Sequence, residues 1–97
     1  MKVYISGKIT GTNLPETLLK FEQAEKGFYE LGYNPINPMK LQHHQHDGAW
    51  EDYMRLDIKH LMDCNAIYML QGWHESKGAM LEYSLALQLG MTILFEL

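Results

Sequence analysis

The sequence has little of several features that mark large classes of proteins. Its 97 residues contain one cysteine, Cys64, which excludes an internal disulfide framework and fits a reducing cytoplasm. The sequence has eight lysines and arginines and twelve aspartates and glutamates, which gives a net charge of −4. This balance does not predict the basic surface that sequence-independent binding of DNA or RNA requires. No apolar run approaches the roughly 18–20 residues of a membrane span, and the N-terminus resembles a strand more than a secretion signal. We therefore expect one soluble, cytoplasmic domain over residues 1–97.

Strand-like and helix-like segments alternate along this chain. Short β-branched and aromatic runs predict four strands, at residues 2–6, 33–37, 66–70 and 91–95. Apolar residues at helical spacing predict three helices, at residues 14–31, 49–63 and 77–89. Asn13 and Ser76 are the expected N-caps of the first and third helices, and Gly32 and Gly90 are expected to end them.

This alternation is typical of a parallel sheet wound with right-handed crossovers. We therefore predict an α/β fold: a three-layer α/β/α sandwich of the Rossmann-like or flavodoxin-like type, with four parallel strands in the order 2-1-3-4. Such sheets bind ligands beyond the carboxyl ends of the strands, where the winding direction reverses. The functional crevice should lie between the loop after the first strand (residues 7–12) and the loop after the third strand (residues 71–76).

Two acidic residues fall among the core-facing positions of the second and third predicted helices. Asp57 shares a stripe with Met54 and Leu61, and Glu82 lies among the apolar positions of its helix. A buried carboxylate costs free energy unless it is paired or hydrogen-bonded. Either acid could be structural, Asp57 through a hydrogen bond to a loop amide and Glu82 through a salt bridge between subunits. Paired carboxylates also serve glycosidic bond cleavage, in which one of them can trap the sugar covalently.

Two loops at the predicted crevice have a composition that suits anion binding. Residues 6–12 follow the first strand, and residues 76–78 open the third helix. Glycine N–H groups, hydroxyls and a helix N-terminus all favour a phosphate. Most loops of the first kind are nevertheless ordinary turns, and the second is equally consistent with a plain N-cap. The first loop is neither a Walker A motif nor G-x-G-x-x-G. The candidate phosphate-binding or substrate-binding residues are Ser6, Gly7, Lys8, Thr10, Gly11, Ser76 and Gly78.

We expect neither a cofactor nor a metal ion. The sequence contains no Ser/His/Asp arrangement for nucleophilic catalysis, and Cys64 at the start of a strand is expected to be inert. A polar loop contains several potential ligands without the i, i+4 spacing of a helical metal site, namely His43, His44, His46 and Asp47. That loop is better explained as a solvated lid.

Three short motifs resemble the nucleoside 2-deoxyribosyltransferase superfamily. They are Val3-Tyr4-Ile5-Ser6-Gly7-x-Ile9-x-Gly11, then Asp57-Ile58, then Ser76-x-Gly78-x-x-x-Glu82-x-x-x-Ala86. Within the superfamily the sequence is more similar to the 2′-deoxynucleoside 5′-phosphate N-hydrolases of the Rcl type, and the likeness extends over nearly the whole chain. It implies cleavage at the N-glycosidic bond of a nucleoside or 2′-deoxynucleoside 5′-monophosphate.

The resemblance implies roles for four residues. Glu82 matches the nucleophile that attacks the sugar C1′ and forms a glutamyl-sugar intermediate. Asp57 matches the acid that contacts the sugar and assists the departing base, and Tyr4 matches the tyrosine that orients the nucleophile. Ser76 stands where the transferases have an aspartate and where the hydrolases have a serine that binds the 5′-phosphate. A serine at a helix N-terminus suits a phosphate better than an aspartate does.

Departures from the hydrolase pattern keep other functions open. Thr10 replaces an arginine, so phosphate binding would be weaker or would rely on Lys8. This replacement and the short C-terminus favour a non-catalytic nucleotide-binding or sensing module. A flavodoxin-type FMN carrier is a third alternative. A phospho-acceptor receiver domain is disfavoured because Ser6 and Leu70, not aspartates, end the first and third predicted strands.

The expected partners are a small nucleoside or nucleotide and a second copy of the chain, with no nucleic-acid polymer and no membrane. Trp73, Trp50 and the loop at residues 43–46 are candidates for stacking on a base, although Trp50 fits the core better. The third helix is apolar nearly all round, so we expect a homodimer or larger homo-oligomer to form through it.

Overall fold

The computed structural model describes residues 1–41 and 49–97. Its strands are β1 (Lys2–Ser6), β2 (Asn34–Ile36), β3 (Ala66–Met69) and β4 (Thr92–Phe95). Its α-helices are α1 (Leu14–Glu30), α2 (Trp50–Met62) and α3 (Lys77–Gln88), and short 3-10 helices occupy Pro38–Lys40 and Trp73–Glu75. The loop residues considered above as metal ligands, a lid or a base-stacking segment, at positions 43–47, lie outside the described residues.

The four strands form one parallel sheet in the order β2-β1-β3-β4. Val3 of β1 is opposite Pro35 of β2 on one side and Ala66 of β3 on the other. The chain winds from β1 toward β2 and then back across β1 to β3 and β4, so the winding direction reverses between β1 and β3. The predicted α/β class and strand order are confirmed.

Helices cover both faces of this sheet. Val3 and Ile5 of β1 pack toward α1, against Phe28 and Phe21 respectively. Alternate residues of a strand point to opposite faces, so Tyr4 faces the side of α2 and α3. There it joins a buried cluster to which the two helices contribute Leu61, Ala79 and Ala86. The arrangement is the predicted three-layer sandwich, with Tyr4 at the centre of the layer that holds the candidate site.

The helix ends follow the predicted capping pattern. The side chain of Asn13 accepts a hydrogen bond from the Glu16 amide at 3.2 Å, and that of Ser76 accepts one from the Ala79 amide at 3.1 Å. Gly32, after α1, has φ +85°, a conformation in which a side chain is strained. None of the helices in the described ranges has the length and apolar content that a bilayer crossing would need.

Candidate functional site

A cavity of about 240 Å³ lies at the carboxyl end of β1, where the winding direction reverses. Its walls come from β1 and the following loop, from one face of α2, and from the first turns of α3. This is the side of the sheet toward which Tyr4 points. Of the two loops predicted to flank the crevice, the first lines this cavity with Gly7, Ile9 and Thr10, but the second contributes only Ser76. Gln71, Gly72 and Glu75 of the second loop line a separate cavity.

Glu82 presents its carboxylate at the base of this cavity. It lies in the second turn of α3, and its residue surface is only 5% exposed. The Tyr4 hydroxyl donates to Oε2 of Glu82 at 2.6 Å, and the Ser6 hydroxyl donates to Oε1 at 2.7 Å. Tyr4 and Ser6 are two positions apart on β1 and so share a face. Each carboxylate oxygen receives a short, charge-assisted hydrogen bond that fixes its orientation.

Asp57 brings a second carboxylate to the same cavity. It lies on α2 and, like Glu82, is 5% exposed, although it belongs to a different part of the chain. Burial raises the pKa of the Tyr4 hydroxyl well above its usual value, and the negative charges of Glu82 and Asp57 raise it further. Tyr4 therefore remains a neutral hydrogen-bond donor throughout the ordinary pH range. The two inward acids of the sequence pattern do meet in one cavity.

The apolar wall of the cavity comes mainly from α2 and was largely missed by sequence reasoning. Trp50, Tyr53 and Met54 line the cavity together with Asp57. Trp50 and Asp57 each lie three or four positions from Tyr53 and Met54, so the four share one helical stripe. Trp50, for which the sequence favours a place in the core, is only half-buried, and the Lys77 ammonium lies 4.1 Å from the centroid of its ring. The acid on the α2 stripe was the signal that could have identified this wall.

Ser6 and Gly7 have structural roles at and just after the end of β1. Ser6 lines the cavity, is fully buried and donates its hydroxyl hydrogen to Glu82. A Cβ atom on Gly7 would lie 2.9 Å from Cδ1 of Leu70, closer than side chains pack. Glycine at position 7 thus lets the chain after β1 lie close to the Leu70 side chain at the end of β3.

The start of α3 has the properties expected of an anion-binding segment. Ser76 lines the cavity and accepts from the Ala79 amide, which leaves its own hydroxyl hydrogen to donate to a ligand. A Cβ atom on Gly78 would lie 2.9 Å from Sδ of Met54, so glycine here permits α3 to lie close to α2. Thr10 lines the cavity from the β1 loop.

Three predicted site residues do not line this cavity. Lys8 lines a separate cavity of about 310 Å³ beside the start of α1, because its position in the loop directs it to the opposite side from Ile9. Gly11 has φ +77° and serves the turn into α1. Trp73 is partly buried against the core and packs on Tyr83, with ring centroids 4.6 Å apart. The structure thus places Lys8, Gly11 and Trp73 outside the cavity that contains Asp57 and Glu82.

The described residues offer carboxylate and hydroxyl chemistry. Within positions 1–41 and 49–97, no group of three or more histidine, cysteine, aspartate or glutamate residues is placed to hold a metal ion. Burial raises the pKa of the Cys64 thiol to about 11, so this cysteine is almost wholly protonated near neutral pH. The groups available for chemistry in the cavity are the two acids, the hydroxyls and the apolar wall.

Comparison with known proteins assigns a family. Residues 1–95 match the family model described as "Domain of unknown function (DUF4406)". The chain belongs to the DUF4406 family. The match extends from β1 to β4 and so includes every residue of this DUF4406 member that lines the cavity. A search of curated proteins gave no significant match.

Proposed function

We propose that this protein cleaves the N-glycosidic bond of a nucleoside or 2′-deoxynucleoside 5′-monophosphate, by hydrolysis or by transfer of the sugar, through a glutamyl-sugar intermediate. The observation that carries the proposal is the buried Glu82 carboxylate, oriented by Tyr4 and Ser6 in a cavity that also contains Asp57. Glycosidases use two carboxylates with separate roles, one as nucleophile and one beside the leaving group. The resemblance noted in the sequence assigns the same roles to these acids.

In the first step, a Glu82 oxygen forms a bond to C1′ while the bond between C1′ and the base nitrogen breaks. The bonding electron pair leaves with the base, and Asp57 orients the base or supplies its proton. Tyr4 and Ser6 each donate to one Glu82 oxygen, which holds the carboxylate in a fixed orientation for the attack. Fixing the carboxylate in this way reduces the entropy lost on reaching the transition state.

In the second step, water attacks C1′ while the Asp57 carboxylate accepts the proton that the water loses, and the ester bond to Glu82 breaks. Its electron pair returns to the carboxylate, and the sugar is released with the hydroxyl group. A second base in place of water would give sugar transfer. Tyr4 and Ser6 again assist, because both hydrogen bonds strengthen as negative charge returns to the carboxylate.

The rest of the cavity supplies substrate-binding groups. The Ser76 hydroxyl and the N-terminus of α3 suit a 5′-phosphate. Trp50 and Tyr53 on α2 offer aromatic surface for a planar base. The substrate would then contact α3 through its phosphate and α2 through its base, with C1′ between them.

The test is release of free base, measured by liquid chromatography, from the four 2′-deoxynucleoside 5′-monophosphates and their nucleosides. Glu82→Ala and Glu82→Gln should lower release by about a thousandfold or more, since loss of a covalent nucleophile is seldom compensated. Glu75→Gln, which changes an acid lining the other cavity, is the matched control and should retain activity. Equal trace release by the wild type and by Glu82→Ala would contradict the proposal.

A non-catalytic nucleotide-binding or sensing module is the second candidate. The same two hydrogen bonds favour it, because they stabilise the Glu82 charge and lower its nucleophilicity. Calorimetric binding of a nucleotide without base release would support this candidate over the enzyme. Base release that depends on Glu82 would exclude it.

We also propose that two copies associate through α3, in the cytoplasm. Met80, Leu87 and Leu89, on and just after α3, are each at least half exposed. Exposed apolar side chains on one helix are typical of a surface that a second subunit covers. Light scattering after gel filtration should give twice the 11.3 kDa chain mass or more, and Leu87→Lys should reduce it to that of one chain.

A further inference from the structure

Lys77 is the first residue of α3, and it does not itself line the cavity but lies beside residues that do. Its ammonium lies 4.1 Å from the ring centroid of Trp50, and Trp50 lines the cavity. Lys77 makes no salt bridge with any of the described residues. Its neighbours along the chain, Ser76 and Gly78, both line the cavity. An exposed cation is thus positioned beside the site by an aromatic ring.

The cavity itself is electronegative. It contains the carboxylates of Asp57 and Glu82, both buried. A ligand that carries a phosphate monoester brings further negative charge into this field, and repulsion in a partly desolvated site is strong. Lys8, which the sequence predicts to bind the phosphate, lines the other cavity. A substrate anion therefore needs another cation near the rim.

We propose that Lys77 gives the site its preference for ligands bearing a phosphate monoester over the corresponding neutral ligands. This inference rests on the proposed function, and it identifies the substrate class as the 5′-monophosphate. Trp50 keeps the ammonium beside the cavity by a cation–π contact, which is weak at an exposed site and is readily exchanged for an ion pair. The long flexible stem of lysine permits that movement without any change in the backbone.

The contact between Lys77 and Trp50 also couples binding of the ligand's phosphate to binding of its base. When Lys77 turns toward the phosphate, it leaves the Trp50 ring, and the face of that ring becomes available to the base. Phosphate binding at α3 and base stacking at α2 would therefore assist each other. A neutral nucleoside would leave the ammonium on Trp50 and would gain neither effect.

The test compares calorimetric dissociation constants for each 2′-deoxynucleoside 5′-monophosphate with those for its nucleoside. Lys77→Gln should weaken monophosphate binding by about tenfold and change nucleoside binding by less than about twofold, as expected for one lost charge-assisted contact. Lys77→Arg should retain the preference because it retains the charge. Lys8→Gln is the matched control, since it removes a lysine that lines the other cavity, and it should leave both constants unchanged.

Trp50 provides a second readout. In a Trp73→Phe background, Trp50 is the remaining tryptophan of the chain, and its fluorescence should change on adding 2-deoxyribose 5-phosphate but not 2-deoxyribose. Adding Lys77→Gln to this background should abolish the difference between the two sugars. A third fluorescence titration, with inorganic phosphate, distinguishes recognition of a sugar phosphate from binding of any phosphate ion.

The inference is overturned if Lys77→Gln weakens both ligands equally, if Lys8→Gln reproduces its effect, or if the wild type binds neither ligand. Failure of the proposed chemistry has a different signature. Monophosphate binding that depends on Lys77 without base release would reject the glycosidase and support the role of Lys77. Base release, together with an unchanged monophosphate preference in Lys77→Gln, would support the glycosidase and reject the role of Lys77.

Discussion

The hydroxyl of Tyr4 and the carboxylate of Glu82 are 2.6 Å apart, although 78 positions separate them in the sequence. The contact crosses from the central strand β1 to helix α3, and both residues are buried. It joins the first element of the fold to the acid proposed as the nucleophile. The position of Glu82 in the cavity thus depends on correct assembly of the sheet.

Removing either hydroxyl donor should affect both stability and activity. Tyr4→Phe and Ser6→Ala should each lower the free energy of unfolding by about 1–3 kcal/mol, because each removes a hydrogen bond to a buried Glu82 oxygen. Base release should fall by about a hundredfold, since small displacements of a reacting group have effects of that size. Urea titration and initial rates measure the two effects.

The control for the donor variants is Tyr68→Phe, which changes a partly buried tyrosine of β3 that packs against Phe28 on the opposite face of the sheet. It should leave activity unchanged. The double variant Tyr4→Phe/Ser6→Ala should depart from additivity because both hydroxyls act on one carboxylate. Activity losses that simply multiply would show that the two donors act independently.

Stability should fall at alkaline pH through Tyr4. Burial, together with Glu82 and Asp57, raises the pKa of Tyr4 in the folded state above the unfolded value of about 10. Because the pKa of Tyr4 is raised on folding, its contribution to the free energy of unfolding is fully present below about pH 10 and is lost as the pH rises above that value. Urea titrations from pH 8 to 11 should show a shallower decline for Tyr4→Phe than for the wild type. Parallel curves would contradict the assigned pKa direction.

Cys64 should react slowly with thiol reagents in the folded protein. With a pKa of about 11, roughly one thiol in a thousand is ionised at pH 8, against about a quarter for an unfolded cysteine. Labelling with a chromogenic disulfide at pH 8 should therefore accelerate more than a hundredfold in concentrated urea. Cys64→Ser gives the background. Equal labelling rates with and without urea would show that the thiol is accessible and ionised.

Two helical glycines should respond oppositely to alanine. No atom would lie within 4 Å of a Cβ on Gly27 of α1, so Gly27→Ala should raise stability by about 0.5–1 kcal/mol. A Cβ on Gly78 would lie 2.9 Å from Sδ of Met54, so Gly78→Ala should force α3 away from α2 or displace Met54. The melting temperature and the ligand affinity should both be lower for Gly78→Ala than for the wild type. Replacing Met54 by alanine in that variant should restore part of the loss.

The fold was predictable because its local signals agree with one another. Asn13, Gly32 and Ser76 cap or end helices where their residue types predict, and the strands are short runs of residues that favour strands. Alternating strands and helices then leave few possible topologies. The observed sheet order is the predicted one among them.

The site was predictable only in part, for a physical reason. Asp57 and Glu82 could be identified because a carboxylate on an apolar stripe is anomalous. Tyr53 was not a candidate, and Trp50 was a candidate for which the core was the favoured place, because one apolar stripe on α2 covers the core at Leu61 and the cavity at its other end. Residue type does not reveal where along such a stripe the core stops. Trp73 illustrates the converse, an aromatic residue near the crevice that packs elsewhere.

The cavity described above draws its walls from β1, α2 and α3, which belong to the beginning, the middle and the later part of the chain. A molecule that occupies it would bridge segments that separate on denaturation, so its binding would raise the melting temperature. Library screening by differential scanning fluorimetry would then reveal ligands whatever reaction the protein catalyses. Glu82→Gln would serve as the counter-screen for compounds that bind at this location.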